Sequence, residues 1–135
     1  MSIKIDQAFV SAFSTEFSSS IEIAYENANP PYVPQAQTPF AAIKMQPNPV
    51  EARALARFNQ TSGIFQVILY YPVDAGDFAA KSMAQDITDF FSIGTHVTYG
   101  GQSATILETR RQPGIAEDGW YKLVLSIYYY AITER

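Results

Sequence analysis

The chain has 135 residues, enough for one domain with a continuous core, and its 47% of hydrophobic residues exclude an intrinsically disordered protein. Nine basic residues against 13 acidic ones give a net charge of −4, which argues against nucleic-acid binding through a broad basic face. Because the chain has no cysteine and one histidine, disulfide scaffolds, cysteine catalysis, thiolate metal sites and histidine-rich metal sites are excluded.

The first predicted element is an amphipathic helix over residues 2–18. Its large apolar side chains recur every four residues and fall on one stripe: Ile5, Phe9, Phe13 and Phe17. Three consecutive serines at residues 18–20 weaken the helix and end it. Three phenylalanines on one stripe need a broad apolar partner, and the face of a sheet would provide one.

Strands are predicted in the next part of the chain. Residues 21–25 begin with alternating apolar and polar side chains, and residues 40–46 form a second strand. The proline-rich segment between them is expected to be extended and exposed, since proline lacks a backbone donor. Residues 51–59 suit a strand or a helix. We favour the strand, because a turn at residues 61–63 would join it in a hairpin to the strand at residues 64–71.

A second helix is predicted after this hairpin. Asp74 can cap its first turn and Asp77 lies within that turn, where an acidic side chain is favourable. Met83 and Ile87 mark its apolar stripe, and Gly94 is a suitable residue to end it.

Two further strands are predicted near the C-terminus, over residues 103–110 and 120–132. A turn at residues 117–119 precedes the long last strand. The inward-facing set of that strand is one of two alternating sets, of which the first is Tyr121, Leu123, Leu125, Ile127 and Tyr129. Both of its faces are apolar near residues 128–130, so one face is a candidate for cover by another subunit.

The order of elements indicates an α+β fold with a mainly antiparallel sheet and two helices packed on one face. We expect a single domain over residues 1–135, since no linker or low-complexity segment divides the sequence. No targeting segment is expected, because the first residues lack a continuous apolar run. The longest apolar stretches fall far short of the ~20 residues of a membrane span, so an intracellular protein is expected.

Candidate catalytic groups are few. Asp86 and Asp89 lie three residues apart on the second helix, where they could offer oxygens to a metal or form a solvated acidic face. His96 is interpreted as a surface loop residue. The sequence has no nucleophile elbow and no phosphate-binding loop, and its acidic residues show no spacing typical of glycoside hydrolases. We therefore predict no catalytic residue, no metal site and no cofactor.

Two clusters point instead to protein partners. Arg110 and Arg111 could contact phosphate or a partner carboxylate, or form an ordinary solubilising pair at the end of a strand. Three consecutive tyrosines at residues 128–130 cannot all point inward from one strand, and they fit either a mixed core or an oligomer contact. The low charge content is typical of a subunit whose surface is partly covered by neighbours.

Several short motifs in a fixed order resemble the tail terminator (tail-completion) family of long-tailed bacteriophages, which includes minor tail proteins of prophage origin. The motifs are spread over nearly the whole chain and lie at residues 25–27 (Tyr-Glu-Asn), 30–34, 63–67, 71–72 (Tyr-Pro), 76 and 119–121 (Gly-Trp-Tyr). Residue 25 is often tryptophan in the family, and here it is Tyr25.

The resemblance implies a structural protein of the virion tail, assembled in the cytoplasm of the bacterial host, without enzymatic activity. It implies a hexameric ring that caps the tail tube, stops its polymerisation and offers a surface for head joining. Its partners would be other copies of itself, the tail tube protein and the head–tail connector protein. DNA would pass through the ring without specific binding, and no membrane would be involved.

On this basis we predict two groups of functional residues. The candidate subunit or tube interface consists of Tyr32, Phe40, Arg110, Arg111, Trp120, Tyr128 and Tyr130. The candidate acidic lining of the lumen consists of Asp86, Asp89, Glu117 and Asp118, since carboxylates repel DNA phosphate. The alternatives are another neck, head-closure or tail tube component, and a small α+β enzyme or ligand-binding domain.

Overall fold

The computed structural model describes residues 3–25, 38–47, 51–52, 58–73 and 78–134. These residues form two helices and eight strands. In chain order they are α1 (Ile3–Phe17), β1 (Glu22–Ala24), β2 (Phe40–Pro47), β3 (Glu51–Ala52), β4 (Phe58–Pro72), α2 (Phe78–Phe90), β5 (His96–Tyr99), β6 (Gln102–Arg111), β7 (Ile115–Glu117) and β8 (Trp120–Glu134). Tyr32, Asp74 and Asp77, for which we made predictions, lie outside the described residues.

The strands form one sheet in the order β1-β2-β4-β8-β6-β5, with β3 paired to β4 and β7 paired to β8. The β1–β2 pairing is parallel and the other pairings are antiparallel. The two longest strands, β4 and β8, pair along their whole length and form the centre of the sheet.

Strand alternation gives the sheet a core face and an open face. On the core face, buried residues of β4 lie opposite buried residues of β8, for example Phe65 opposite Ile127 and Val67 opposite Leu125. Of the two alternating sets considered for β8, the first one faces the core, with Tyr121 partly buried and the other four residues fully buried. The stripe predicted for α1 and the buried residues of α2 belong to the same core.

The prediction of an α+β fold with mainly antiparallel pairing is confirmed, but the arrangement of the layers is different. The sheet is mixed and curls into a half-barrel, so it is not a flat sheet with helices packed on one face. Two physical causes favour the curl. Strand twist accumulates across a wide sheet, and β6 carries a bulge between Ile106 and Glu108, which increases twist locally.

The predicted turn at residues 61–63 is wrong, because these residues lie inside β4. Gly63 pairs with Pro47 on one side and with Tyr129 on the other. Gly63 is buried inside the strand, and a glycine in a strand interior weakens the strand without ending it. The strand predicted over residues 51–59 is confirmed in part, since β3 lies within this range and pairs antiparallel with the start of β4.

Short strands near the C-terminus were not predicted. His96, interpreted as a loop residue, is the first residue of β5, and β7 lies between the two predicted strands, where no strand was predicted. The predicted turn before β8 is confirmed: Asp118 and Gly119 both have positive φ angles, of 51° and 81°. Such a pair closes a two-residue hairpin with the twist of the flanking strands.

Candidate assembly surfaces

The open face of the sheet is apolar at its centre. We define it by the alternating residues of β4 and β8 that point away from the core: Ile64, Gln66, Ile68, Val124, Ser126, Tyr128 and Tyr130. Within a single subunit, most of these side chains are half-buried, and Ser126 is buried. Isoleucine, valine and tyrosine here leave apolar surface in contact with water, and such surface is typical of interaction sites.

An aromatic cluster occupies one end of this face. The ring of Phe40 stacks on that of Tyr70, with 4.6 Å between centroids and 11° between planes. Trp120 contacts both rings edge-on, and the Lys122 ammonium lies 5.9 Å from the Tyr70 centroid. Phe40 is only 6% exposed, so its predicted role in an interface would be to support Tyr70 and Trp120 rather than to contact a partner.

The two predicted interface arginines point to opposite faces of the sheet. Arg110 is on the open face, where its Nε donates to Glu108 Oε1 at 2.6 Å and its guanidinium carbon lies 5.1 Å from the centroid of the Tyr128 ring. Its side chain nevertheless remains 66% exposed. Arg111 lies opposite Leu125, a core-face residue, and is exposed at the end of β6.

The four predicted lumen residues are all exposed, and they form two separate pairs. Glu117 and Asp118 lie at the β7–β8 turn. Asp86 and Asp89 lie on α2, and Asp89 Oδ1 accepts a hydrogen bond of 2.8 Å from Gln85 Nε2.

The α2 pair borders a groove of about 300 Å³ between α1 and α2. The residues that line it are Glu16, Phe17, Ser20, Met83, Asp86, Asp89 and Phe90. The Phe17 and Phe90 rings meet edge-on with centroids 5.6 Å apart. This groove therefore combines an aromatic floor with carboxylates at its border.

Sequence reasoning missed the most exposed apolar side chains. Phe78, at the start of α2, is 81% exposed, and Ile93, just beyond its end, is 76% exposed. Leu107, the extra residue of the β6 bulge, is also exposed. The position of Phe78 off the Ala80–Ala84–Ile87 stripe is a signal that could have identified it.

A second groove, of about 400 Å³, runs along α1 beside Tyr25 and Tyr99. Val10 lines it, and Ser14 Oγ and Tyr25 Oη form a 2.8 Å hydrogen bond at its border. At the other end of β5, His96 Nδ1 and Thr105 Oγ1 are 2.9 Å apart.

Within the described parts of the chain, no three histidine, aspartate or glutamate side chains are grouped to hold a metal ion. No described helix is long and apolar enough to cross a membrane.

Two tyrosines have perturbed acidity. Burial, together with the negative charge of Asp6, raises the pKa of Tyr129 from 10.0 to about 12. Burial and the charge of Asp86 raise the pKa of Tyr71. Both groups therefore stay protonated at neutral pH, and neither can serve as a base there.

Comparisons with known proteins agree with these observations. A family model described as phage tail terminator protein matches residues 4–129, which confirms the resemblance found in the sequence. A solved structure matches with a TM-score of 0.72 and 18% sequence identity, over 96% of this chain and 96% of that chain. At this identity the likeness concerns the fold alone. The search of curated proteins gave no match.

Proposed function

Because this chain belongs to the phage tail terminator family, we propose that its copies form a ring that caps the tail tube. The family is a structural one whose members take part in tail assembly, so the protein is a component of the virion tail that acts with other tail and head proteins. In our proposal the ring is hexameric, ends polymerisation of the tube, provides the surface for head joining and has no enzymatic activity. Assembly takes place in the host cytoplasm.

The observation that carries this proposal is the exposure of large apolar side chains at separate places on one subunit. Phe78 is the first residue of α2 and Ile93 lies just beyond its end, and both side chains are largely exposed to water. A ring needs a heterologous interface, in which one patch of each copy binds a different patch of the next. Separate apolar patches meet that need, and burying them would favour association.

The open face and its margins supply further contacts in this proposal. Trp120, Tyr128 and Tyr130 present aromatic surface, and Arg110 and Arg111 add charge at the end of β6. We assign these residues to the interfaces with the next copy, the tail tube protein or the connector protein.

DNA passes through the lumen without specific binding in our proposal. The net charge of −4 per copy gives 6 × (−4) = −24 for six copies, which disfavours adhesion of phosphate. The lining would come from one of the exposed acidic pairs, Asp86 with Asp89 or Glu117 with Asp118. A ring with a basic pore would contradict this assignment.

A neck, head-closure or tail tube component is the nearest alternative, since it would use the same kind of surfaces. A ligand-binding domain or enzyme is a more distant one, for which the groove beside Tyr25 and Tyr99 would be the site.

The test is to add the purified protein to a tail assembly reaction that lacks the terminator and to measure tube lengths by electron microscopy. Tubes of normal length that join heads would support the proposal. Tubes that stay over-long would contradict it. Incorporation along the tube, instead of at its end, would identify a tube protein.

A further inference from the structure

The aromatic cluster on the open face presents two rings at nearly right angles. The Trp120 ring stands edge-on to the stacked rings of Phe40 and Tyr70, at angles of 82° and 88°. Phe40 is buried, whereas Tyr70 and Trp120 are half-buried. Ile115 of β7 pairs with Lys122, which follows Trp120 on the same face of β8, and Ile115 is 59% exposed. The cluster is therefore bordered by an exposed aliphatic side chain.

A surface of this kind suits a proline-rich segment. Such segments bind aromatic-lined grooves, and their extended polyproline II conformation is already ordered, so little entropy is lost on binding. The indole N–H of Trp120 can donate a hydrogen bond, and a proline-rich segment offers carbonyl oxygens as acceptors. Because proline has no backbone N–H, the same segment is poorly suited to pair with the edge of a sheet.

The chain contains a segment with this composition. Residues 30–34 read Pro-Pro-Tyr-Val-Pro, with the Pro-x-x-Pro spacing at Pro31 and Pro34. Residues 27–39 include no charged side chain. The surface that binds this segment is therefore expected to be apolar and aromatic, as the aromatic cluster is, and not charged.

The length of the chain between β1 and β2 allows the segment to reach another copy. Because β1 and β2 are parallel and Ala24 lies opposite Ala42, the positions of Tyr25 and Thr38 are about 17 Å apart along the sheet. The 13 peptide units that join residues 25 and 38 can extend to about 43 Å. This excess of length permits a loop that projects about 20 Å from the sheet.

The aromatic cluster of the same copy is a less suitable partner. Pro31 follows Tyr25 by six residues, which span at most about 20 Å. The strand order and register place Trp120 about 22 Å from the position of Tyr25, measured along the sheet. Tyr25 also lies on the helix side of the sheet, where its hydroxyl contacts Ser14 of α1. Pro31 would reach its own cluster only with these six residues fully extended, whereas the cluster of a neighbouring copy imposes no such limit.

We propose that the proline-rich segment at residues 30–34 of one copy binds the surface formed by Tyr70 and Trp120 of the next copy. The contact is heterologous, since the segment and the cluster are different parts of the chain, and such a contact can repeat around a ring. The inference rests on the proposed ring and names one of its subunit contacts. It brings two predicted interface residues, Tyr32 and Trp120, into the same contact.

The first test is disulfide cross-linking, for which the chain has no cysteine of its own. A full chain with Val33→Cys is mixed 1:1 with a full chain with Ile115→Cys under mild oxidation. We expect a disulfide between residues 33 and 115 of different chains, identified by mass spectrometry. The matched control replaces Ile115→Cys by Thr98→Cys, at an exposed residue of the edge strand β5. It should give at least about tenfold less product, because a disulfide needs close approach of the two residues.

The second test changes the segment and leaves the described residues intact. Pro31→Ala with Pro34→Ala should weaken self-association about tenfold, since a few residues carry most of the energy of an interface. Trp120 is the only tryptophan of the chain, so its fluorescence reports on the cluster. Its emission should shift to shorter wavelength when the unmodified chain assembles, and this shift should be lost in the variant. Pro49→Ala, at a proline outside the segment, is the matched control and should behave like the unmodified chain. Circular dichroism checks that each variant is folded.

The outcomes separate the inference from the proposed function. If rings form but the mixed chains give no disulfide between residues 33 and 115, the inference is wrong and the ring remains. A double variant that forms this disulfide only within one chain would show that the segment binds its own cluster, which also overturns the inference. Unchanged association of the Pro31→Ala, Pro34→Ala variant would do the same. If electron microscopy shows no ring of the unmodified chain, in solution or on tail tubes, the proposed function is wrong and the inference is wrong with it.

Discussion

Replacing Tyr129 by phenylalanine would remove one hydroxyl group from the centre of the core. The Tyr129 side chain is 0% exposed, and its ring contacts Phe9 with 4.8 Å between centroids. In the described part of the chain, the hydroxyl has no hydrogen-bond partner. Phenylalanine keeps the ring contacts, so Tyr129→Phe isolates the contribution of the hydroxyl group.

A buried polar group without a partner costs roughly 1–3 kcal/mol. We therefore expect Tyr129→Phe to raise the free energy of unfolding by about 1 kcal/mol, which raises Tm by about 4 °C in a domain of this size. Denaturant unfolding followed by circular dichroism measures the change. Tyr99→Phe, at a side chain that is 43% exposed, is the matched control and should shift stability by less than about 0.5 kcal/mol.

The pH dependence gives an independent measurement. The folded pKa of Tyr129 is about 12, whereas the unfolded chain has the ordinary value of 10.0. As pH rises from 10 to 12, the unfolded state loses this proton and the folded state keeps it, so stability falls, by up to about 3 kcal/mol. Tyr129→Phe should lose this part of the alkaline decline.

A decrease of more than about 1 kcal/mol in Tyr129→Phe at neutral pH would refute the reasoning, because it would mean that the hydroxyl is hydrogen-bonded in the core. An unchanged decline between pH 10 and pH 12 would refute the assignment of the raised pKa to Tyr129.

Three other changes test the core, a turn and the surface. Phe9→Ala should lower the free energy of unfolding by about 3–5 kcal/mol in denaturant titrations, because it empties space between Phe65 and Tyr129; a loss below 1 kcal/mol would show that the core is not packed around this ring. Gly119→Ala should lower the free energy of unfolding by about 1 kcal/mol in the same titrations, because the φ of +81° at this residue is strained for any residue with a Cβ. An unchanged denaturant midpoint would contradict the turn described at Asp118 and Gly119. Phe78→Ser should leave monomer stability within about 0.5 kcal/mol but weaken ring formation in sedimentation experiments, and an equal ring yield would exclude this exposed phenylalanine from the interface.

The helices and long strands could be predicted because their patterns are local. Phenylalanines spaced four apart allow one interpretation for α1, and strict alternation limits the inward-facing residues of β8 to two possible sets. The turn at residues 61–63 was misplaced because its residue types suit a turn, whereas the pairing of Gly63 with two neighbouring strands is a long-range property. The curl of the sheet is also a long-range property that no local pattern predicts, since it comes from the twist of many strand pairs.

The candidate site was predictable only in part. Charged residues such as Arg110 and Asp86 were correctly expected at the surface, because burying an unpaired charge is costly. Phe40 was expected to be available to a partner, but the stacked Tyr70 ring buries it, and that contact depends on the β2–β4 register. The exposure of Leu107 depends on the bulge, for which the sequence has no reliable signal.

The β6 bulge also indicates which residue the chain could lose. The pairs Ile106 with Tyr129 and Glu108 with Tyr128 are adjacent on β8, so Leu107 is an additional residue without a partner position on β8. Without Leu107, both flanking pairs could keep their register, and the hydrogen bond from Thr109 to the Phe91 carbonyl oxygen would not depend on the missing residue. We therefore expect deletion of Leu107 to be tolerated, because every side chain beyond it keeps its orientation.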